Sequence, residues 1–281
     1  MQGYRTIVVH LADERRAARL VATAVSVASM NEAHLIGLFV MPTEPPSPLF
    51  AGTAGRALID IGRKAFAERG ERLRRIFEEQ TAAAAVKTEW RVVKPGRKPI
   101  LEAVMAHARS ADLIVASQRD YDWEDTAIAE YPDEFVLGSG RPVLLVPNAW
   151  RPGDFPGRVL VAWNERREAA RAVFDALPLL KAAREVRVLW INPEIEAIDR
   201  GDLPTAEIAA TLARHGVKVT ADQTRSPDLT VGTELLNRAF DHSADLLVMG
   251  AYGHARVREV LFGGATREIL RHMTLPVLMS H

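Results

Sequence analysis

The chain repeats itself at about half its length, and this limits its possible folds more than any other feature. Thr6-Ile7-Val8-Val9-His10-Leu11 is followed by the charged triplet Glu14-Arg15-Arg16 and an alanine-rich stretch. Val159-Leu160-Val161-Ala162-Trp163-Asn164 is followed by Glu165-Arg166-Arg167 and a second alanine-rich stretch. Ala111-Asp112-Leu113-Ile114-Val115 is matched by Ala244-Asp245-Leu246-Leu247-Val248, and Arg141-Pro142-Val143-Leu144-Leu145 by Leu275-Pro276-Val277-Leu278-Met279. The offsets are 152, 133 and 134 residues, in the same order along the chain, which indicates duplication with a longer insert in the first copy.

Within each copy, short β-rich runs alternate with helical periodicity. The runs are Thr6–Leu11, His34–Val40, Val86–Val93, Leu113–Ser117 and Val143–Val146, then Val159–Trp163, Glu185–Ile191, Lys218–Gln223, Leu246–Met249 and Val277–Met279. Several are apolar throughout, as expected of strands covered on both faces. Leu101, Val104, Met105 and Ala108 keep helical spacing, as do Val173, Ala176, Leu177 and Leu180. The alternation predicts an α/β fold of two tandem Rossmann-like domains, each a doubly wound, mostly parallel five-stranded sheet. The boundaries fall at 1–150 and 157–281, with the Pro- and Gly-rich segment Trp150–Gly157 as linker. The insert is Pro42–Arg56, read as a solvated crossover loop or a lid, ahead of a long helix over about 58–80.

Composition narrows the function. Lys+Arg and Asp+Glu are both 36, so a generally basic nucleic-acid binder or a polybasic membrane-surface protein is not expected. There is no cysteine, which excludes disulfides, thiolate metal sites and a cysteine nucleophile. No apolar run is long enough to span a membrane and the start lacks the apolar core of a signal peptide, so the sequence reads as cytoplasmic.

The most informative segment is Leu246-Leu247-Val248-Met249-Gly250-Ala251-Tyr252-Gly253, nine further residues, then Gly263-Gly264-Ala265-Thr266. A strand ends at Gly250, and Gly250 and Gly253 let the backbone turn tightly. The second cluster opens a helix, where small residues leave several N–H donors bare and the helix dipole adds positive potential, a place for a phosphate. Thr266 offers a hydroxyl, and His254, Arg256, Arg258 and Arg267 bring positive charge. The loop has neither the Gly-Lys-Ser/Thr ending of a Walker A loop nor a GxGxxG fingerprint.

This G-x2-G-x9-G element, after ADLLVMG and before a helix and the terminal strand LPVLM, resembles the universal stress protein A family. IVVHLADE and VLVAWNER resemble that family's first strand and turn, so the resemblance covers nearly the whole chain as two copies. It implies a Rossmann-like fold and, in the ATP-binding members, a loop that holds the phosphates while the end of the first strand holds adenine and ribose. On that alignment Ala162, Trp163 and Asn164 face adenine and ribose, and Met249, Gly250, Gly253, Gly263, Gly264, Ala265 and Thr266 frame the phosphates. Two positions depart from the pattern: the acidic residue after the first strand is Asn164, and the hydroxyl residue after the third glycine is Gly264.

The first copy departs further. Its equivalent of Gly250 is Ser117, with no glycine three residues on, and Asp120, Asp122, Glu124 and Asp125 follow where phosphate would lie. Its first-strand acidic position is Ala12, with Asp13 adjacent. The first copy is therefore expected not to bind nucleotide in this manner. The histidines form no metal-binding spacing, so no metal is expected, and no catalytic triad or GxSxG elbow stands out. The expected partners are an adenine nucleotide, with ATP as cofactor, and the other half of the chain. The last strands of the copies would pair as an internal pseudo-dimer, with a further homodimer left open. The function read from this is a tandem universal stress protein with a regulatory or sensor nucleotide in its second half and no catalytic residue. A ligand-free stress-related scaffold and a slow ATP hydrolase are the alternatives.

Overall fold

The computed structural model describes residues 3–41, 53–96, 98–119, 132–153, 155–193, 205–252 and 264–281. The elements in chain order are β1 (Thr6–His10), α1 (Glu14–Asn31), β2 (His34–Val40), α2 (Thr53–Thr81), β3 (Lys87–Val93), α3 (Ile100–Ala108), β4 (Leu113–Ser117), α4 (Pro132–Gly138) and β5 (Val143–Val146). There follow β6 (Arg158–Ala162), α5 (Arg167–Asp175), α6 (Leu177–Ala182), β7 (Glu185–Ile191), α7 (Ala206–Arg214), β8 (Val219–Thr224), α8 (Val231–Asp241), β9 (Leu246–Gly250), α9 (Gly264–His272) and β10 (Val277–Ser280). This is the mixed α/β architecture, with a large, mostly parallel sheet, that the sequence predicts.

All the strands join one ten-stranded sheet, ordered β3-β2-β1-β4-β5-β10-β9-β6-β7-β8. Read from either outer edge, the order within each copy is third, second, first, fourth, fifth. Every pairing within a copy is parallel, as in β1 with β2 and β4, and β6 with β7 and β9. Among the described residues, the one antiparallel pairing joins the copies, with Val277 opposite Leu145, Leu278 opposite Leu144 and Met279 opposite Val143. The short last strands have both flanks paired, and β3 and β8 are the outer edges. Those edges carry Lys87, Glu89 and Arg91, and Thr220 and Asp222, polar side chains that disfavour pairing with another chain.

The repeated aspartates have a structural task. Asp112 Oδ2 accepts from the Arg5 and Thr6 amides at 2.8 and 2.9 Å, tying the start of β1 to that of β4. Asp245 does the same for β6, accepting from the Gly157 amide at 2.8 Å and the Arg158 amide at 3.2 Å. Strand alternation then sorts apolar side chains to two cores. One lies under α1, α2, α5, α6 and α7 and holds Val9, Leu113, Val161 and Leu278. The other lies under α3, α4, α8 and α9 and holds Val8, Ile114, Leu160 and Met279. Both cores draw side chains from both copies, so neither copy has a core to itself.

Two expectations need correction. The helix predicted through Val173, Ala176, Leu177 and Leu180 is two helices that meet at Ala176. Pro178 lies in the first turn of α6, where its missing N–H costs nothing, and it would have broken one continuous helix. All four predicted residues are nonetheless buried. The long helix α2 begins at Thr53, so only residues 42–52 of the insert lie outside the described residues and its last four are helical. Among the described residues, no helix is long and apolar enough to cross a membrane.

Leu278 lies at the junction of the copies with no exposed surface. Leu278→Ala is expected to lower the unfolding free energy by about 2–5 kcal/mol, since it leaves a cavity between both copies. Urea unfolding followed by circular dichroism checks this. It should show one transition shifted as a whole, because the two copies share their cores.

Candidate functional site

A hollow of about 640 Å³ opens at the carboxyl ends of β6, β7 and β9, against the N-terminal turns of α5, α8 and α9. It lies where an open α/β sheet collects ligands, beside the point at which the strand order reverses. Its apolar wall follows from period-2 alternation: Leu189 and Ile191 of β7 lie on one face, with Ala162 of β6 and Met249 of β9 beside them. Val231 and Leu235 of α8 close the other side. Gly250 carries the wall past the start of α5, where a Cβ would come within 2.5 Å of the Ala169 nitrogen and press on the Glu168 carbonyl carbon. No larger residue fits there without backbone movement.

Of the residues predicted from sequence, Ala162, Trp163, Asn164, Met249, Gly250, Gly264, Ala265 and Thr266 all line this hollow. Gly253 and Gly263, with the segment between them, lie outside the described residues. Three predicted roles change in detail. Thr266 is only 3% exposed, and its Oγ1 accepts from the Tyr252 amide at 3.3 Å, so the hydroxyl belongs to the loop's own structure. Asn164 Oδ1 accepts from the Arg166 amide at 3.2 Å and helps start α5. Trp163 stands one residue past Ala162, and its side chain packs in part against the core of the opposite face. Around Gly264 there is open space within 4 Å of an added Cβ, so the missing hydroxyl at this position is not imposed by crowding.

Sequence reasoning missed the polar side chains contributed by the helices. Glu168 of α5 is 5% exposed and accepts from Arg167 Nε at 2.5 Å. Burial pushes its carboxyl up, but the Arg167 hydrogen bond, aided by a backbone bond and the charge of His281, outweighs this and holds it below the usual carboxylate range. Glu268 of α9 accepts from Thr230 Oγ1 at 2.6 Å and from Thr233 Oγ1, which fastens α9 to the N-terminus of α8. Burial raises its carboxyl as well, and the two threonine hydroxyls bring it below the ordinary value. Both carboxylates are ionised at neutral pH, with Arg166 at the rim of the hollow. The signals for them were present but weak: Glu268 stands two residues beyond Thr266, and Thr230 is a helix N-cap ahead of Glu234. No cluster of three or more His, Asp or Glu side chains that could hold a metal ion occurs among the described residues.

Among the described residues, the corresponding place in the first copy is narrowed by His10, Asp13, Arg16 and Phe135 to a cavity of about 10 Å³. Where the second copy has Ala162, the first has His10, stacked edge-on against Phe135 at 5.4 Å. Where the second has Glu168, the first has Arg16, buried and bound through Nε to Asp13 at 2.7 Å and through NH1 to Gln118 O and Asn148 Oδ1 at 2.9 and 3.1 Å. Asp13, the candidate ribose contact, is instead the N-cap of α1, accepting from the Arg15 amide at 3.0 Å. Gln118, just past the equivalent of Gly250, donates through Nε2 to the Leu270 and Arg271 carbonyls at 3.0 and 3.2 Å. It thereby caps the last turn of α9 from the other copy. The acidic stretch Asp120, Asp122, Glu124 and Asp125 lies outside the described residues.

Two measurements test this packing. Gly250→Ala should cost about 1–3 kcal/mol of stability through overpacking against α5, whereas Gly264→Ala should change it by less than about 0.5 kcal/mol. Thermal unfolding of the two variants separates them. Burial lowers the His10 imidazole from 6.5 to about 4, so the folded protein holds it neutral. As pH falls from 6.5 towards 4, the unfolded chain binds the proton first, and the stability present above 6.5 is progressively lost. Between about pH 7.5 and about pH 5 this amounts to roughly 2 kcal/mol. His10→Leu should remove that part of the difference in urea unfolding at the two pH values.

Comparison with known proteins accords with this geometry. Residues 157–281 match the model of the universal stress protein family. A stretch of 38 residues is 47% identical to Universal stress protein Slr1230 of Synechocystis sp. (strain ATCC 27184 / PCC 6803 / Kazusa), covering 14% of this chain. That stretch spans only 13% of the length of this curated relative. Over 98% of its length the chain superposes on a universal stress protein from Archaeoglobus fulgidus DSM 4304, covering 97% of that chain, with a TM-score of 0.73 at 15% identity. It also superposes on a functionally unknown protein of Pseudomonas aeruginosa PAO1, with a TM-score of 0.58 at 16% identity, covering 99% and 92% of the two chains. At such identities the likeness is one of fold. The family match falls on the copy with the open hollow, so residues 157–281 are similar to a universal stress protein domain.

Proposed function

We propose that the second copy, a domain over 157–281, binds an adenine nucleotide, ATP, as a regulatory or sensor ligand in a stress response. The first copy, over 1–150, serves as its structural partner in an internal pseudo-dimer joined through β5 and β10. The observation that carries this reading is the contrast between the two equivalent places: about 640 Å³ in one copy and about 10 Å³ in the other. The larger volume suits a nucleotide-sized ligand. Leu189, Ile191, Val231, Leu235 and Met249 offer apolar surface for a base, and the first turn of α9, where the Gly264 and Ala265 amides have no partner within the helix, offers an anion site at a helix N-terminus. Asn164 keeps hydrogen-bonding capacity for a ribose hydroxyl. The reading is of a binder and not a catalyst, because both carboxylates in the hollow already accept hydrogen bonds from neighbouring side chains.

One observation favours a second reading, a scaffold that acts through protein contacts without a ligand. Glu168 and Glu268 set negative charge in the hollow, and Gly264 brings no hydroxyl to the loop.

Titration calorimetry with ATP, together with mass spectrometry of small molecules released on denaturation, separates the two. A dissociation constant on the order of micromolar supports the first, and no heat up to about millimolar ATP supports the second. Ala162→His copies the plug of the first copy. It should weaken binding at least about tenfold while the circular dichroism spectrum is unchanged. Unchanged affinity in that variant would place the ligand elsewhere.

A further inference from the structure

At the same end of the sheet as the nucleotide hollow, where the amino ends of β1, β4 and β5 lie level with the carboxyl ends of β9 and β10, a groove of about 530 Å³ runs along the junction of the two copies. One wall comes from the segments that precede β1, β4 and β5, including Tyr4, Asp112 and Arg141, and the other from α5 and α6, including Arg171, Phe174 and Lys181. Tyr4 Oη crosses between them, donating to the Asp175 carbonyl at 2.7 Å, so the walls are fixed relative to each other.

The charges of this groove do not cancel. Asp112 is occupied by two backbone amides, Asp175 lies 3.5 Å from Arg171 Nε, and Glu32 lies 4.0 Å from Arg5. Arg141 donates through Nε to the Arg109 carbonyl at 3.2 Å, and neither it nor Lys181 has a carboxylate within ion-pair distance among the described residues. Arg5, Arg141, Arg171 and Lys181 thus stand against Glu32, Asp112 and Asp175, and the cations left without a carboxylate partner, Arg141 and Lys181, face the groove from both copies. Between the cations, Phe174 is 40% exposed, with the His215 ring set edge-on to it at 6.3 Å. Asp175 Oδ2 is buried and held in the ion pair with Arg171.

The repeat shows what kind of group such a place takes. The two-fold counterpart of the Gly3–Arg5 wall is Phe155–Gly157, and the counterpart of Pro178 in α6 is Ser26 in α1. There the chain fills the space itself: Phe155 is buried, its carbonyl accepts from Ser26 Oγ at 3.1 Å, and Trp150 stacks edge-on against it at 6.1 Å. On one side of the two-fold an aromatic pair of the linker is the occupant. On the other side, aromatic and cationic side chains line an open groove.

We propose that this groove binds a small planar anion: an aromatic ring that packs on Phe174 and carries a carboxylate or phosphate for Arg141 and Lys181. The groove uses none of the residues of the nucleotide hollow and does not depend on that hollow being occupied.

The test uses the full chain and two probes, 4-hydroxybenzoate and phenyl phosphate, which distinguish the two kinds of anion. Binding is followed by saturation-transfer NMR and titration calorimetry on the wild type and on Lys181→Glu and Phe174→Ala. Both replaced side chains are exposed, and circular dichroism confirms that the variants fold. At least one probe should bind the wild type with a dissociation constant of about a millimolar or better and lose at least about fivefold in each variant. No binding of either probe at about 10 mM, or affinity that survives both substitutions, would overturn the proposal.

Discussion

The antiparallel pairing of β5 with β10 is the constraint on which the rest of the molecule depends. A parallel α/β sheet that ends on a short, largely apolar strand leaves a row of unpaired N–H and C=O groups at an apolar edge. Here two such strands, Val143–Val146 and Val277–Ser280, satisfy each other within one chain. The sheet becomes continuous, and both helical layers pack over cores that extend from one copy into the next. What is left at the outer edges, β3 and β8, is half-exposed and polar.

Once the copies share a core, they are free to diverge at their ligand ends without losing the fold. Strand pairing and the clamps of Asp112 and Asp245 are the same in both, whereas the residues beyond the strand ends are not. In one copy His10, Phe135, Arg16 and Asp13 close the space with an aromatic contact and a buried ion pair. In the other, Ala162 and Gly250 leave it open. Gln118 makes the relation mutual, since the closed copy holds the last turn of the helix whose first turn borders the open hollow. A buried pair such as Asp13–Arg16 contributes little net stability, but removing either partner would strand a charge, so the plug is fixed in place once it exists.

The architecture was legible in the sequence for local reasons. Fully apolar runs such as Leu246–Met249 mark strands covered on both faces, and the repeat gives the same order of elements twice. Gly250 was legible as a point of close backbone approach at a strand end, and Gly264 and Ala265 as a small-residue helix start. The break between α5 and α6 at Ala176 was missed because the apolar spacing continues across it, although Pro178 was the local signal.

What the sequence by itself determined, then, is whatever depends on near neighbours along the chain: the strands, most helices, the repeat and the small-residue loop. Only the tertiary structure decided which side chains meet across long separations. Arg16 reaches Asn148, 132 residues away; Gln118 reaches Leu270, 152 away; and Tyr4 reaches Asp175, 171 away. Hydrophobic periodicity says which face a residue occupies and nothing about which residue lies opposite. Whether a hollow is open or plugged is fixed by such distant pairs, and so it had to be read from the packed molecule.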